Sequence, residues 1–188
     1  MRVVNEVNRD VVAWDACGAE SRPGEQEGDE PSIAPALDAW VQGELDGLRQ
    51  QAQQVQWRFD ADQQAAGQHR PRSEWGRIGV RIKEQHSSRA TPGTFTIEWC
   101  TYRYVNKAQG KACFTEYVKK GDGDRYPRSA LGKVARDWQR PIIEAAEDDF
   151  AAIRRAVREV SQVRTQLRAA VRTARALRER LHLRAHGA

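Results

Sequence analysis

The feature that most constrains the fold is a regular repeat of apolar side chains over residues 143–181. Twelve apolar residues recur at steps of three or four positions, and at one place two steps of three follow each other. Such spacing puts one apolar seam along a helix and is typical of helices that pair. The helix would be roughly 60 Å long, too long for a small sheet alone to cover. The seam consists of Ile143, Ala146, Phe150, Ile153, Val157, Val160, Val163, Leu167, Ala170, Ala174, Leu177 and Leu181.

A second amphipathic helix is predicted over residues 32–68. Ser32 is a suitable N-cap, Pro35 suits the first turn, and Gly67 is a stop signal with Pro71 behind it. This helix, folded back within the chain, is one candidate partner for the seam, and the long C-terminal helix of a second subunit in a homodimer is the other. Its predicted apolar face is Leu37, Val41, Leu45, Leu48, Ala52, Val55 and Phe59.

Between the helices, residues 72–126 show the alternation of strands. Apolar and polar side chains alternate over residues 75–83, again from Phe95, and a third time over residues 111–120, with a turn predicted at 106–110. We therefore expect a three-stranded antiparallel meander, with one face covered by a helix because three strands alone are marginally stable. The predicted fold class is α+β: a small three-stranded antiparallel sheet flanked by an N-terminal helix and a long basic C-terminal helix with a coiled-coil-like seam. Residues 128–188 form the predicted helical region.

Charge is divided unevenly along the chain. Residues 1–70 carry a net charge of −7, residues 71–149 of +4 and residues 150–188 of +8. Residues 1–31 combine acidic side chains with a Gly- and Pro-containing run from Gly18, so we predict a flexible acidic segment there. The basic end of the chain can attract a polyanion.

The predicted long helix carries a stripe of arginines on its outside, and no acidic residue occurs over residues 160–178. Arg164, Arg168 and Arg172 stand four positions apart, where like charges repel, so something should compensate them. Nucleic-acid phosphates or an acidic protein could compensate the arginines, and solvation by water is the third possibility.

No enzyme signature was found, and we predict a non-catalytic protein without metal or cofactor. The sequence has no Gly-rich phosphate loop, HExxH motif or nucleophile elbow. The acidic cluster Glu144, Glu147, Asp148 and Asp149 stands near the start of the long helix, where the helix dipole favours carboxylates. No run of about 18 apolar residues occurs, so we do not expect membrane insertion. We expect a cytoplasmic location.

Four segments of the chain carry a family resemblance. The succession EWGRIGVRIK, TFTIEW, FTEYVKKGDGDRYPRSAL and DWQRPIIEAAEDDFAAIRR, followed by a basic helix, resembles the MobI family of conjugative mobilisation proteins over residues 72–180. The resemblance implies an accessory factor at the origin of transfer that assists the relaxase and other transfer proteins without cutting DNA itself.

The functional hypothesis is DNA binding by two basic surfaces, a sheet face and the arginine stripe. The alternative is a protein-interaction scaffold in which the long helix acts as a coiled coil. The predicted DNA-binding residues are Arg77, Arg81, Lys83, Lys119, Lys120, Arg154, Arg158, Arg164, Arg168, Arg172 and Arg175.

Overall fold

The computed structural model describes residues 33–86, 90–107 and 110–186, so the predicted acidic segment 1–31 lies outside the described residues. The predicted α+β fold class is confirmed. One long helix precedes a three-stranded antiparallel sheet, and a second, longer helix follows it.

Helix α1 runs from Ile33 to Gly67. Its predicted apolar face is the face that the structure buries, with only Leu48 partly exposed. At Gly67 the helix ends against the ring of Trp75, since a Cβ on this glycine would lie 3.5 Å from that ring. Gly67 thus acts as the predicted stop and as a packing site for an aromatic side chain.

The sheet contains β1 (Ile78–Glu84), β2 (Phe95–Lys107) and β3 (Gly110–Tyr117), in the order β1-β2-β3. Val80 pairs with Trp99 and points toward the helices, whereas Arg81 pairs with Glu98 on the opposite face. Among the described residues, the apolar side chains of the helices pack on the first face and not on the other. We call the opposite face, which carries Arg81, the open face.

After the sheet come helix α2 (Arg128–Val134), a 3₁₀ turn (Asp137–Gln139) and helix α3 (Arg140–His186). The predicted helical region 128–188 is therefore not continuous, because it is interrupted after Val134. The backbone of Ala135 and Arg136 is extended there. The Gln139 side chain is fully buried and accepts the Arg136 backbone N–H at 3.0 Å, which stabilises the turn instead.

The core is centred on Trp99 of β2, which is fully buried between α1 and α3. Its ring meets Phe59 of α1 edge-on at 5.0 Å and Phe150 of α3 edge-on at 5.9 Å. Edge-to-face pairs of this kind add stability beyond the burial of their area. One aromatic side chain therefore joins the sheet to both long helices.

Helix α1 is also the partner of the first half of the α3 seam. Leu37, Val41 and Leu45 form a second small core with Val157 and Val160. The pairing that the sequence left open is thus made within one chain over this part of the seam. Farther along α3 the seam side chains are exposed, and we call this stretch the distal seam: Val163, Leu167, Ala170, Ala174, Leu177 and Leu181.

A buried ion pair stands beside Trp99. The Glu147 carboxylate is 1% exposed and accepts Trp99 Nε1–H at 2.5 Å, Tyr126 N–H at 2.7 Å and Arg154 Nη1–H at 2.9 Å. The Arg154 guanidinium also donates to the backbone oxygen of Ile97 at 3.1 Å. Every charge in this cluster has a partner, which is the condition for burying charge at tolerable cost.

We expect Glu147→Gln to lower the free energy of unfolding by about 3 kcal/mol, because it leaves Arg154 buried without its countercharge. Urea denaturation of the purified protein measures this change. Glu144→Gln is the matched control on the same helix, where an exposed pair with Arg128 is worth less than about 1 kcal/mol. Equal losses in the two variants would contradict the structural role given to Glu147.

Candidate nucleic-acid interface

Two arginines of the predicted stripe are not on the outside of α3. Arg154 lies inside the protein against Glu147, with its guanidinium 4.8 Å from the centroid of the Tyr126 ring. Arg164 is 7% exposed and faces α1. The predicted outer position of these two side chains is wrong, because each directly follows a seam residue and bends toward an acid of the covered face.

Asp38 of α1 compensates the repulsion that the arginine spacing implied. Its carboxylate accepts Arg164 Nε–H at 2.9 Å and also pairs with Arg168. The Arg164 hydrogen bond, with further contributions from Arg168, holds the pKa of Asp38 below its ordinary value of 3.8. The missing acid for residues 160–178 therefore comes from the other helix.

The remaining predicted arginines of the stripe differ in their partners. Arg158 pairs with Asp124, and Arg175 pairs with Glu179 one turn away. Arg172 is exposed and has no acidic partner among the described residues. The stripe is thus largely used in ion pairs within the chain, and its capacity for an external phosphate is much smaller than the sequence suggested.

On the open face, Arg81 and Lys83 converge on Tyr117 of β3. Arg81 Nη1–H donates to the Tyr117 hydroxyl at 2.9 Å, and Lys83 Nζ lies 3.9 Å from the centroid of the Tyr117 ring. Lys83 also pairs with Glu98 at 3.0 Å. The neighbouring Tyr117 hydroxyl and the Glu98 carboxylate raise the pKa of Lys83, so this side chain stays charged at neutral pH.

The two lysines that follow β3 are on the surface near this face. Lys119 is exposed and makes no ion pair within the described residues. Lys120 donates to the backbone oxygen of Gly123, a contact that holds the turn-rich connection before α2. Of the two lysines, Lys119 is therefore the one whose charge is available to an external anion.

Four separate segments meet in a groove of about 570 Å³ that the sequence did not reveal. The walls are the stretch after α1, the middle of β2, one residue of β3 and the end of α2. We call it the basic groove. Its basic lining residues are Arg72, Arg77, Arg103, Lys133 and Arg136.

The basic groove holds a single carboxylate, that of Glu116, which pairs with Arg103 at 3.3 Å. Arg136 donates only to the backbone oxygen of Ser73, at 3.5 Å. Within the described part of the chain, Arg72, Arg77 and Lys133 have no ion-pair partner. Five positive charges therefore meet one negative charge here, and three of the positive side chains are unpaired.

Tryptophans hold the walls of the basic groove in place. Trp75 Nε1–H donates to the backbone oxygen of Arg70 at 3.1 Å, and Trp138 Nε1–H donates to that of Glu74 at 3.2 Å. A Cβ on Gly76 would lie 1.9 Å from Gln139 Oε1, so only glycine allows the wall to lie this close to the 3₁₀ turn. These contacts fix the walls, whereas the basic side chains that line the groove are exposed to solvent.

Of the predicted site residues, only Arg77 lines the basic groove. Its other basic residues were missed because they are far apart in sequence and follow no common period. The signal available beforehand was the net charge of +4 over residues 71–149.

Three carboxylates of the acidic cluster near the start of α3 are engaged in ion pairs. Glu144 pairs with Arg128, Asp148 with Arg125, and Asp149 with Arg58. Among residues 33–86, 90–107 and 110–186, no group of three or more His, Cys, Asp or Glu side chains is placed to hold a metal ion. None of the helices in these ranges has a stretch long and apolar enough to cross a membrane.

The fold and the groove define an α+β protein with a basic groove at one end of its sheet. The chain belongs to the MobI family, since the family model described as MobI protein matches residues 48–168. Membership gives the chain a mobilisation-related context. No curated protein and no solved structure matches it.

The family match begins earlier than the resemblance at residues 72–180, because it includes the second half of α1 from Leu48. That half contains Ala52, Val55 and Phe59, which pack under the sheet. The match ends at Arg168, the last residue of α3 that pairs with α1 through Asp38. The whole basic groove lies inside the match, whereas Arg172 and Arg175 lie outside it.

We expect Asp38→Asn to loosen the first turns of α1, because Arg164 and Arg168 lose their countercharge. Hydrogen exchange of the amides near Leu37 and Val41 should become several-fold faster at pH 6, while exchange near Phe59 stays unchanged. Glu44→Gln, an exposed change on the same helix, is the control.

The same comparison has a defined pH dependence. A carboxyl whose pKa is lowered by folding stabilises the protein above its unfolded pKa, and this stabilisation is lost as the pH falls through the folded value. The difference between the wild-type protein and Asp38→Asn should therefore begin to shrink near pH 3.8 and vanish only when the pH lies below the lowered folded pKa. A difference that persists unchanged at lower pH would show that the charge of Asp38 is not its cause.

Proposed function

We propose that this MobI-family chain is a DNA-binding accessory protein of conjugative transfer that acts at the origin of transfer with the relaxase. The observation that carries the proposal is the basic groove, where five positive side chains surround one carboxylate. DNA phosphates are the ligands in this proposal, and Arg72, Arg77 and Lys133 are the primary contacts.

Electrostatics favours a polyanion at this place. Unpaired guanidinium groups attract counterions, and a phosphate backbone that replaces those ions gains affinity from their release. Arginine forks also bind phosphate oxygens in a bidentate manner, which fixes the orientation of the backbone. Four of the five basic residues of the groove are arginines.

The predicted DNA-binding residues have different roles in this proposal. Arg77 belongs to the groove, and Arg81, Lys83, Lys119 and Lys120 extend the positive surface around the sheet. Arg172 is exposed on α3 without an acidic partner among the described residues, but it does not line the groove. The other five predicted residues each pair with an acid of the chain and are not DNA contacts in this proposal: Arg154, Arg158, Arg164, Arg168 and Arg175.

Contact with about five phosphates gives log K a slope of roughly −4 to −5 against log salt. We expect the double variant Arg72→Gln/Arg77→Gln to reduce this slope by about 2 and to weaken binding roughly tenfold near 0.1 M salt. Fluorescence anisotropy with labelled duplex DNA, on protein freed of nucleic acid, measures both quantities.

Arg180→Gln/Arg184→Gln is the charge-matched control, because both arginines are exposed near the end of α3, far along the helix from the groove. This control should keep the wild-type slope. Salt-insensitive binding, or an equal loss in the two double variants, would contradict the proposal.

A second candidate function rests on the distal seam. Its leucines are exposed, Leu167 at 38%, Leu177 at 44% and Leu181 at 52%. Residues 169–186 also carry five arginines and one glutamate. The first half of the seam shows what covers such a surface: an amphipathic helix whose acid sits between two arginines, as Asp38 does.

We therefore propose that the distal seam docks an acidic amphipathic helix of the relaxase or another transfer protein. A second copy of the chain fits less well, because its arginines would meet those of the first copy. The seam supplies apolar contact and the arginines select for acid.

We expect Leu177→Ser/Leu181→Ser to abolish co-purification with the relaxase of the same element after nuclease treatment. Leu183→Ser removes a leucine that is 72% exposed but outside the seam, and it should have no effect. Sedimentation of the protein alone tests the other occupant, since a dimer that the double variant converts to monomer would assign the seam to self-association.

A further inference from the structure

Three tyrosines lie in a row on the open face. Tyr102 and Tyr104 are on β2, and Tyr117 on β3 pairs across the sheet with Cys100. Side chains two residues apart on a strand point to the same face, about 6.8 Å from each other. Tyr102 therefore stands between the other two rings.

These rings are not packed into the core. Tyr104 is 62% exposed and Tyr117 is 44% exposed, whereas Trp99 on the opposite face is fully buried. A strand position facing water does not need an aromatic side chain for stability. Two exposed rings on one row therefore point to a surface that receives a flat ligand.

Gly79 of β1 lets the middle ring approach the sheet closely. A Cβ at this position would lie 2.5 Å from Tyr102 Cε2, so any other residue would displace the ring. Burial, together with the hydrogen bond to Cys100, raises the pKa of Tyr102 to about 12.

Positive charge stands at one end of the row. Arg81 donates to the hydroxyl of Tyr117, and Lys83 lies over the Tyr117 ring. Aromatic rings beside a positively charged surface are an arrangement by which proteins bind single-stranded nucleic acid, with the bases stacked and the phosphates paired. A duplex cannot use the rings, because its bases are already stacked on each other.

We propose that the open face binds single-stranded DNA, with bases stacked on Tyr104 and Tyr117 over the floor formed by Tyr102. Arg81 and Lys83 contact the backbone phosphates of the same strand. This inference rests on the proposed DNA-binding function and names the form of DNA that this second surface takes. The strand that is separated at an origin of transfer is such a ligand.

The test compares two single strands of equal length and charge, oligo(dT) and a strand of abasic sites. We expect the wild-type protein to prefer oligo(dT), and Tyr104→Ala to lose roughly tenfold in affinity for it. The affinity of Tyr104→Ala for the abasic strand and for duplex DNA should stay within about twofold of wild type, because phosphates alone make those contacts.

Two further variants make the result specific. Trp57→Ala removes an aromatic side chain of α1 that is 67% exposed, and it should leave binding to oligo(dT) unchanged. Tyr104→Phe keeps the ring without the hydroxyl and should bind as the wild-type protein does.

Equal affinity of the wild-type protein for oligo(dT) and the abasic strand would overturn the inference, as would equal behaviour of Tyr104→Ala and Trp57→Ala. If duplex binding still depended on Arg72 and Arg77 in that case, the proposed function would stand and only the single-strand surface would be wrong. Absence of binding to every form of DNA would instead contradict the proposed function itself.

Discussion

The rest of the structure depends on the buried carboxylate of Glu147. It joins three parts of the chain, because it accepts hydrogen bonds from Trp99 of β2, from the backbone N–H of Tyr126 before α2, and from Arg154 two turns along α3. An unpaired carboxylate at this depth would be strongly destabilising, so the three donors must arrive together. Their common position fixes α3 against the sheet and also fixes the chain at Tyr126 that leads into α2, whose end forms one wall of the basic groove.

The balance of charge within the chain separates arginines that have an acidic partner from arginines that have none among the described residues. Acids pair with most arginines of the stripe: Glu147 lies on α3 itself, whereas Asp124 comes from the connection before α2 and Asp38 from α1. In the basic groove positive charge exceeds negative charge, since Glu116 is the only acid among the described residues that line it. A total charge of +5 therefore says little, whereas the place where positive charge stays unpaired indicates where a polyanion can bind.

The fold followed from local periodicity, and for that reason much of it could be predicted from the sequence. The apolar spacing of Leu37 to Phe59 and the alternation around Val80 depend only on residues a few positions apart. The burial of Arg164 could not be predicted in this way, because its partner Asp38 is 126 positions distant. The groove was missed for a related reason: only folding brings Arg72, Arg103 and Lys133 together.

The central claim is that the basic groove, and not the arginine stripe of α3, receives DNA. Hydrogen-exchange mass spectrometry of the protein with and without duplex DNA tests it most directly, because it reports every segment in one experiment. We predict slower exchange of the backbone amides over residues 72–77, 101–103 and 133–136 when DNA is bound, and little change over residues 164–186. Protection confined to residues 164–186, with the groove segments unchanged, would contradict it and return the binding site to the stripe.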